Sequence, residues 1–168
     1  MDKREIHITQ AESDADMDVV RGLFRTYAAG LGFDLCFQNF EDELASMPGK
    51  YAPPEGRLFL ARDEETGEAI GCVGVRPCDL GCCEMKRLYI APEARGCGLG
   101  RRLAECAIEA AQDIGYRYMR LDTIPKVMGA ATRLYMNLGF VEISSYYDNP
   151  IEGVAYLQLD LAAAKRGA

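Results

Sequence analysis

The sequence predicts an α/β (α+β) fold of about seven strands and four helices, in the order β-α-α-β-β-β-α-β-α-β-β. Three observations predict it. Short runs near both ends alternate apolar and polar residues with the period of a strand. Longer runs repeat apolar residues every three or four positions, as a helix packed on one face does. Between them, Glu84 to Leu103 reads as a strand, a glycine-rich turn and the opening of a helix.

Taken in order, Glu5 to Gln10 sets Ile6 and Ile8 against His7 and Thr9, a half-buried strand with His7 on its polar side. Ser13-x-x-Asp16 resembles a capping box, and Met17, Val20, Phe24, Tyr27 and Leu31 follow at helical spacing. Leu31 to Pro54 is irregular, with a short helix near Glu41 to Ser46. It mixes Asp34, Glu41, Asp42 and Glu43 with Phe33, Phe37, Phe40 and Tyr51. That mixture fits an ammonium pocket, and it equally fits a solvated acidic helix over a packed aromatic edge. Leu58 to Ala61 and Ala69 to Val75 are strands joined by a hairpin loop containing Gly67.

Cys82 to Ile90 is the next strand, and its pattern contains a defect. Cys83 and Met85 set one apolar phase and Leu88 and Ile90 the other, with Lys86-Arg87 between. Met85 and Leu88 share a face only if the strand carries an extra residue, the signature of a β-bulge. A strand buried on both faces is the plainer alternative. The helix from Leu99 turns Leu99, Leu103, Ala107, Ala110, Ala111 and Ile114 inward and stops at Gly115. Arg117 to Asp122 is a strand, Pro125 suits the first turn of a helix, and Met128, Ala131, Leu134, Tyr135 and Leu138 form that helix's stripe up to Gly139. Phe140 to Ser145 and Ala155 to Leu161 are the last strands, and Lys165 to Ala168 is expected to fray.

A strand, a glycine loop and a helix start make an anion site, because the first N–H groups of a helix lack partners and carry the positive end of its dipole. Two phosphate loops are excluded. A dinucleotide fingerprint beginning at Gly96 would need glycine where Arg101 stands, and an ATP-type loop would need Lys-Ser/Thr after Gly100. Arg95, Gly98 and Gly100 instead resemble the Gln/Arg-x-x-Gly-x-Gly/Ala acyl-CoA loop of the GNAT superfamily of N-acetyltransferases. The resemblance extends through Lys86-Arg87-Leu88-Tyr89-Ile90-x-Pro92 upstream and Ala131-x-x-Leu134-Tyr135-x-x-Leu138-Gly139-Phe140 downstream.

The resemblance implies a mixed, mostly antiparallel central sheet flanked by helices, in one domain spanning residues 1–168. It implies acetyl-CoA as cosubstrate and no metal. Leu88, Tyr89 and Ile90 would meet the pantetheine arm, and Arg95, Gly96, Cys97, Gly98, Leu99, Gly100 and Arg101 the pyrophosphate. Glu84 would take a proton from the acceptor amine and Tyr135 would give one to the departing thiolate. A strand-edge carboxylate and a core tyrosine are the plainer readings of those two. One position departs from the pattern: Met128 stands where many members carry asparagine. Tyr146 to Pro150 is expected beside the acceptor, or is simply a turn.

Composition narrows the partners. A chain of 168 residues supports a sizeable core, and a net charge of −7 argues against a sequence-independent nucleic-acid binder. No apolar run approaches the roughly 20 residues of a membrane span, and no export signal is visible, so a cytoplasmic protein with free thiols among its seven cysteines is expected. The expected activity is acetyl transfer to a primary amine of a small or amino-acid-like molecule, with a homodimer left open. Acetylation of a protein N-terminus or lysine is the alternative. A non-catalytic acyl-CoA-binding module is a third reading, and the presence of both Glu84 and Tyr135 argues against it.

Overall fold

The computed structural model describes residues 4–35 and 39–164. The expectations for Phe37 and for a frayed tail from Lys165 to Ala168 lie outside the described residues. Strand β1 (Ile6–Gln10) is followed by helices α1 (Asp14–Ala29) and α2 (Phe40–Ala45), then by strands β2 (Arg57–Asp63), β3 (Ala69–Asp79) and β4 (Cys82–Ile90). Helix α3 (Leu99–Ile114), strand β5 (Tyr118–Thr123), helix α4 (Gly129–Asn137) and strands β6 (Val141–Ile143) and β7 (Ala155–Asp160) follow. One seven-stranded sheet runs β1-β2-β3-β4-β5-β7-β6. Neighbours are antiparallel except β4 and β5, which are parallel. Among the described residues no helix is long and apolar enough to cross a membrane.

Some boundaries differ from the expected ones, for local reasons. Strand β3 runs past Val75 to Asp79 despite Pro77, because β2 ends opposite Val75 and leaves no partner there for the missing N–H. Helix α4 starts at Gly129 rather than at Pro125. Pro125 opens a turn instead, in which the Val127 and Met128 N–H groups both donate to the Ile124 carbonyl. Strand β6 stops at Ile143, short of Ser145.

The helices divide between the faces of the sheet. Helix α1 opens with the capping box: Ser13 Oγ accepts from the Asp16 N–H at 3.0 Å, and the Asp16 carboxylate accepts from the Ser13 N–H at 3.4 Å. Its Met17, Val20 and Phe24 join Leu44, Tyr51, Leu58, Leu60 and Cys72 in one core. A Cβ at Gly74 would lie 2.6 Å from the Tyr51 ring, so only glycine admits that ring. Helix α3 packs on the other face, where Leu99, Leu103, Ala107 and Ala111 meet Val73, Val75, Cys83 and Met85. Tyr135 of α4 and Phe140 extend this second core.

The phase slip in β4 is a bulge. Lys86 pairs with Gly74 and Tyr89 with Cys72, so Arg87 and Leu88 together face Val73. Arg87 takes a left-handed φ of 59°, which costs a residue with a Cβ about 1–2 kcal/mol. Its side chain offsets that cost. Nε and Nη2 each donate to the Glu43 carboxylate of α2 at 3.2 Å. The guanidinium lies 5.2 Å from the Phe40 ring centre and 5.8 Å from that of Tyr27. β4 leaves β5 just before the bulge: their pairing ends at Glu84 and Arg120, and Leu121 to Thr123 pair with β7 alone. From Met85 onward a slot separates the two strands.

The Arg87–Glu43 pair is almost shut from water, with side-chain exposures of 2% and 8%. Breaking a buried pair from one side strands the other charge. Glu43→Ala is therefore expected to lower stability by about 3 kcal/mol or more, read as a lower urea midpoint with the slope unchanged. A loss below about 1 kcal/mol would mean that the pair contributes no more than an exposed one.

Candidate active site

The bulge sets the site's charges. Alternation along β4 sends Cys83 and Met85 into the α3 core and leaves Glu84 and Lys86 on the α1 and α2 side. The extra residue adds Arg87 to that same side, against Tyr27, Phe40 and Glu43. Three ionisable groups are thus enclosed there: Glu84 is 6%, Lys86 5% and Arg87 4% exposed. Enclosed charges need partners, and the fold supplies them.

Glu84 accepts from Arg76 Nε at 3.2 Å and from the Tyr146 hydroxyl at 2.7 Å. Arg76 also donates from Nη1 to Glu43 at 3.1 Å, so Glu43 joins the two arginines of β3 and β4. Burial by itself raises the Glu84 pKa. The charges of Lys86 and Arg76 and the Tyr146 hydrogen bond outweigh it and hold the carboxyl below its ordinary range. Lys86 moves the other way from a surface lysine. Burial lowers its pKa against the attraction of Asp122.

The segment before β7 closes the site from the side. Tyr147 hydrogen-bonds Asp122 of β5, and Asn149 Nδ2 donates to the Tyr147 hydroxyl at 2.9 Å. Tyr146, Tyr147 and Tyr156 pack edge to face with ring centres 5.3–5.6 Å apart. Arg120 sits 5.5 Å from the Tyr146 ring centre. Together with Arg76, Glu84 and Lys86, the two tyrosines line a cavity of about 240 Å³. The segment Tyr146 to Pro150, expected beside the acceptor or as a turn, brings Tyr146 against Glu84.

The predicted binding residues lie along the slot. The Ala91 N–H donates to Ile70 of β3, so by alternation Tyr89 also faces β3 while Leu88 and Ile90 turn their N–H groups to the unpaired side. Gly96 and Gly98 hold φ of 83° and 82°, a conformation that side chains with a Cβ resist, and Gly98 caps α3 without any side-chain acceptor for its first N–H groups. Leu99 is buried under that turn and Gly100 faces Leu134 and Ile90. The cationic side chains are otherwise engaged. Arg95 Nε donates to the Ile90 carbonyl at 3.1 Å, Arg101 Nε to Glu105 at 2.9 Å and Arg102 Nη2 to the Ile6 carbonyl at 3.0 Å. Cys97 Sγ turns back to the Ala94 carbonyl at 2.9 Å.

Tyr135 of α4 is buried, its ring packed on Phe140 at 5.8 Å within the α3-side core. Burial raises its hydroxyl pKa most, and the charges of Tyr27 and Asp122 raise it further. Sequence reasoning misses Arg76, Lys86 and Asp122 as site residues. A signal existed for Lys86 and Arg87, two cations inside a central strand that must bury one face. Of the expected ammonium pocket, Glu43 serves the arginines, Glu41 pairs with Arg25 at the surface, and Tyr51 and Phe40 are core.

Residues 23–140 match the profile of the acetyltransferase (GNAT) family. A protein of Schizosaccharomyces pombe named as an uncharacterised N-acetyltransferase is 43% identical over 163 residues, covering 96% of this chain and 99% of that protein. An acetyltransferase of the GNAT family from Staphylococcus aureus superposes with a TM-score of 0.76 at 18% identity, over 94% of this chain and 99% of that one. A Salmonella typhimurium protein solved with acetyl-CoA as its cofactor superposes with a TM-score of 0.69 at 20% identity, over 97% and 98% of the two chains. At those identities the two structures show the fold alone.

Glu84 also predicts an acid sensitivity. Its pKa is lower in the folded state than in the unfolded chain, so its contribution is complete above about pH 4.3, the ordinary glutamate value. That contribution is lost as pH falls from there through the folded-state pKa. Stability of the wild type should fall more steeply over that acid window than stability of Glu84→Gln, measured by urea unfolding at stepped pH. Parallel curves would show that Glu84 is not held ionised by its partners.

Proposed function

Because the chain belongs to the acetyltransferase (GNAT) family, we propose that it transfers the acetyl group of acetyl-CoA directly to the primary amine of a small molecule. The observation that carries this reading is the slot between β4 and β5, which begins beside Glu84 and runs along the Arg87 bulge. The residues present suit the cosubstrate. The outward N–H groups of Leu88 and Ile90 would bind the amides of the pantetheine arm as an added strand does. The turn from Arg95 to Gly100 and the uncapped start of α3 would take the pyrophosphate. Bound there, acetyl-CoA supplies an activated acyl carbon.

The chain's own groups then move the protons. A backbone N–H at the bulge polarises the thioester carbonyl. Glu84 holds the acceptor ammonium and relays its proton to water. It does not keep that proton: its partners hold the carboxyl below its ordinary range, far under an amine of pKa near 10. A barrier of about 16 kcal/mol for a turnover near 10 per second accommodates such a pre-equilibrium. Tyr135, kept protonated by burial, gives its proton to the departing thiolate.

The test is release of free thiol from acetyl-CoA across a panel of small amines, with the acetylated product identified by mass. Turnover on at least one amine is expected. Tyr135→Phe keeps the ring on Phe140 and removes only the hydroxyl, so turnover should fall about a hundredfold while CoA affinity and melting temperature hold. Unaltered turnover in Tyr135→Phe would remove the proton-donor role.

A further inference from the structure

The cavity beside Glu84 has a charge balance opposite to that of the chain. The chain carries a net charge of −7. In the cavity wall, however, Lys50, Arg76 and Lys86 set three positive charges against the one carboxylate of Glu84. Widening the circle does not reverse the sign. Glu43, which accepts from Arg76, is matched by Arg87, which donates to it as well. Asp122 removes one charge and, by attracting Lys86, favours its charged form against burial; with Lys86 protonated the basic groups keep an excess of one. A cationic acceptor longer than its reacting amine would meet that excess as repulsion, and an anionic group would meet it as attraction.

Size points the same way. A cavity of about 240 Å³ has space for an acceptor on the scale of a single amino acid. Its polar wall is asymmetric. Glu84 is buried and hydrogen-bonded to Tyr146, while Lys50 is exposed.

We propose that the acceptor is a free amino acid, whose ammonium is held by Glu84 and whose carboxylate is held by Arg76, Lys86 and Lys50. The proposal rests on the small-amine reading above and narrows it to one charge class. It separates this chain from acceptors of equal size that lack an anionic group.

The experiment compares kcat/KM for free amino acids, the same amino acids as carboxamides, their decarboxylated amines, and spermidine, using the full chain and acetyl-CoA at pH 7. The carboxamide has an amine of pKa near 8 and so the larger reactive fraction. Intrinsic reactivity therefore favours the amide, and charge recognition favours the free acid. At least a tenfold preference for free acids is expected, reduced severalfold by Lys50→Glu through KM with kcat little changed. Amides, plain amines or spermidine accepted as well or better would overturn the carboxylate site while leaving small-amine transfer standing. A preference that Lys50→Glu leaves unchanged would overturn the assignment of these residues. Turnover on none of the compounds would remove the small-amine reading, and this proposal with it.

Discussion

The buried pair of Arg87 and Glu43 is the contact on which the site depends. Arg87 occupies a backbone region that a residue with a Cβ enters at a cost, and it does so in the middle of a central strand. Two hydrogen bonds to one carboxylate and two aromatic rings fix it there. Fixing Arg87 fixes the extra residue in β4. The extra residue turns the Leu88 and Ile90 N–H groups toward the unpaired side and adds Arg87 to the face that carries Glu84 and Lys86. Helix α2 is only Phe40–Ala45, too short to be stable by itself. Its hold on the arginines gives so small a helix a defined place.

Several charges share this interior, and their arrangement explains why it is tolerated. A lone buried carboxylate would protonate and a lone buried lysine would lose its proton. Here Glu43 serves Arg76 and Arg87, Glu84 serves Arg76 with a hydroxyl from Tyr146, and Asp122 bonds Tyr147. Networks of this kind are weak sources of net stability, since an apolar core of similar volume often does as well. Their retention at one end of a slot, beside an open cavity, is better explained by chemistry there. Lys86, Arg76 and the Tyr146 hydroxyl keep the Glu84 pKa low against its burial.

Most of the fold is legible in the sequence, because its signals are local. Ser13 and Asp16 cap α1 through atoms three residues apart, and Leu157 and Leu159 alternate into the core. The bulge is legible as well, since a side-chain period of two cannot place Met85 and Leu88 on one face without it. The partners of the bulge are not. Glu43 lies 44 residues from Arg87 and Tyr146 lies 62 from Glu84, and nothing in a linear pattern specifies such pairs. Arg76 escapes notice because its strand reads as finished at Val75, although it runs on past Pro77. The Pro125 signal fails for the opposite reason: proline suits a turn as well as a first helical turn, and the turn wins.

In the proposed function the outward edge of β4, beside the Arg87 bulge, binds the acyl-CoA arm. Amide hydrogen exchange at Leu88 and Ile90, resolved by residue with and without acetyl-CoA, tests it directly. The account predicts that both amides exchange readily in the free protein and become protected on binding, whereas Tyr89, already turned to β3, changes little. Saturating acetyl-CoA that leaves Leu88 and Ile90 unprotected would contradict it.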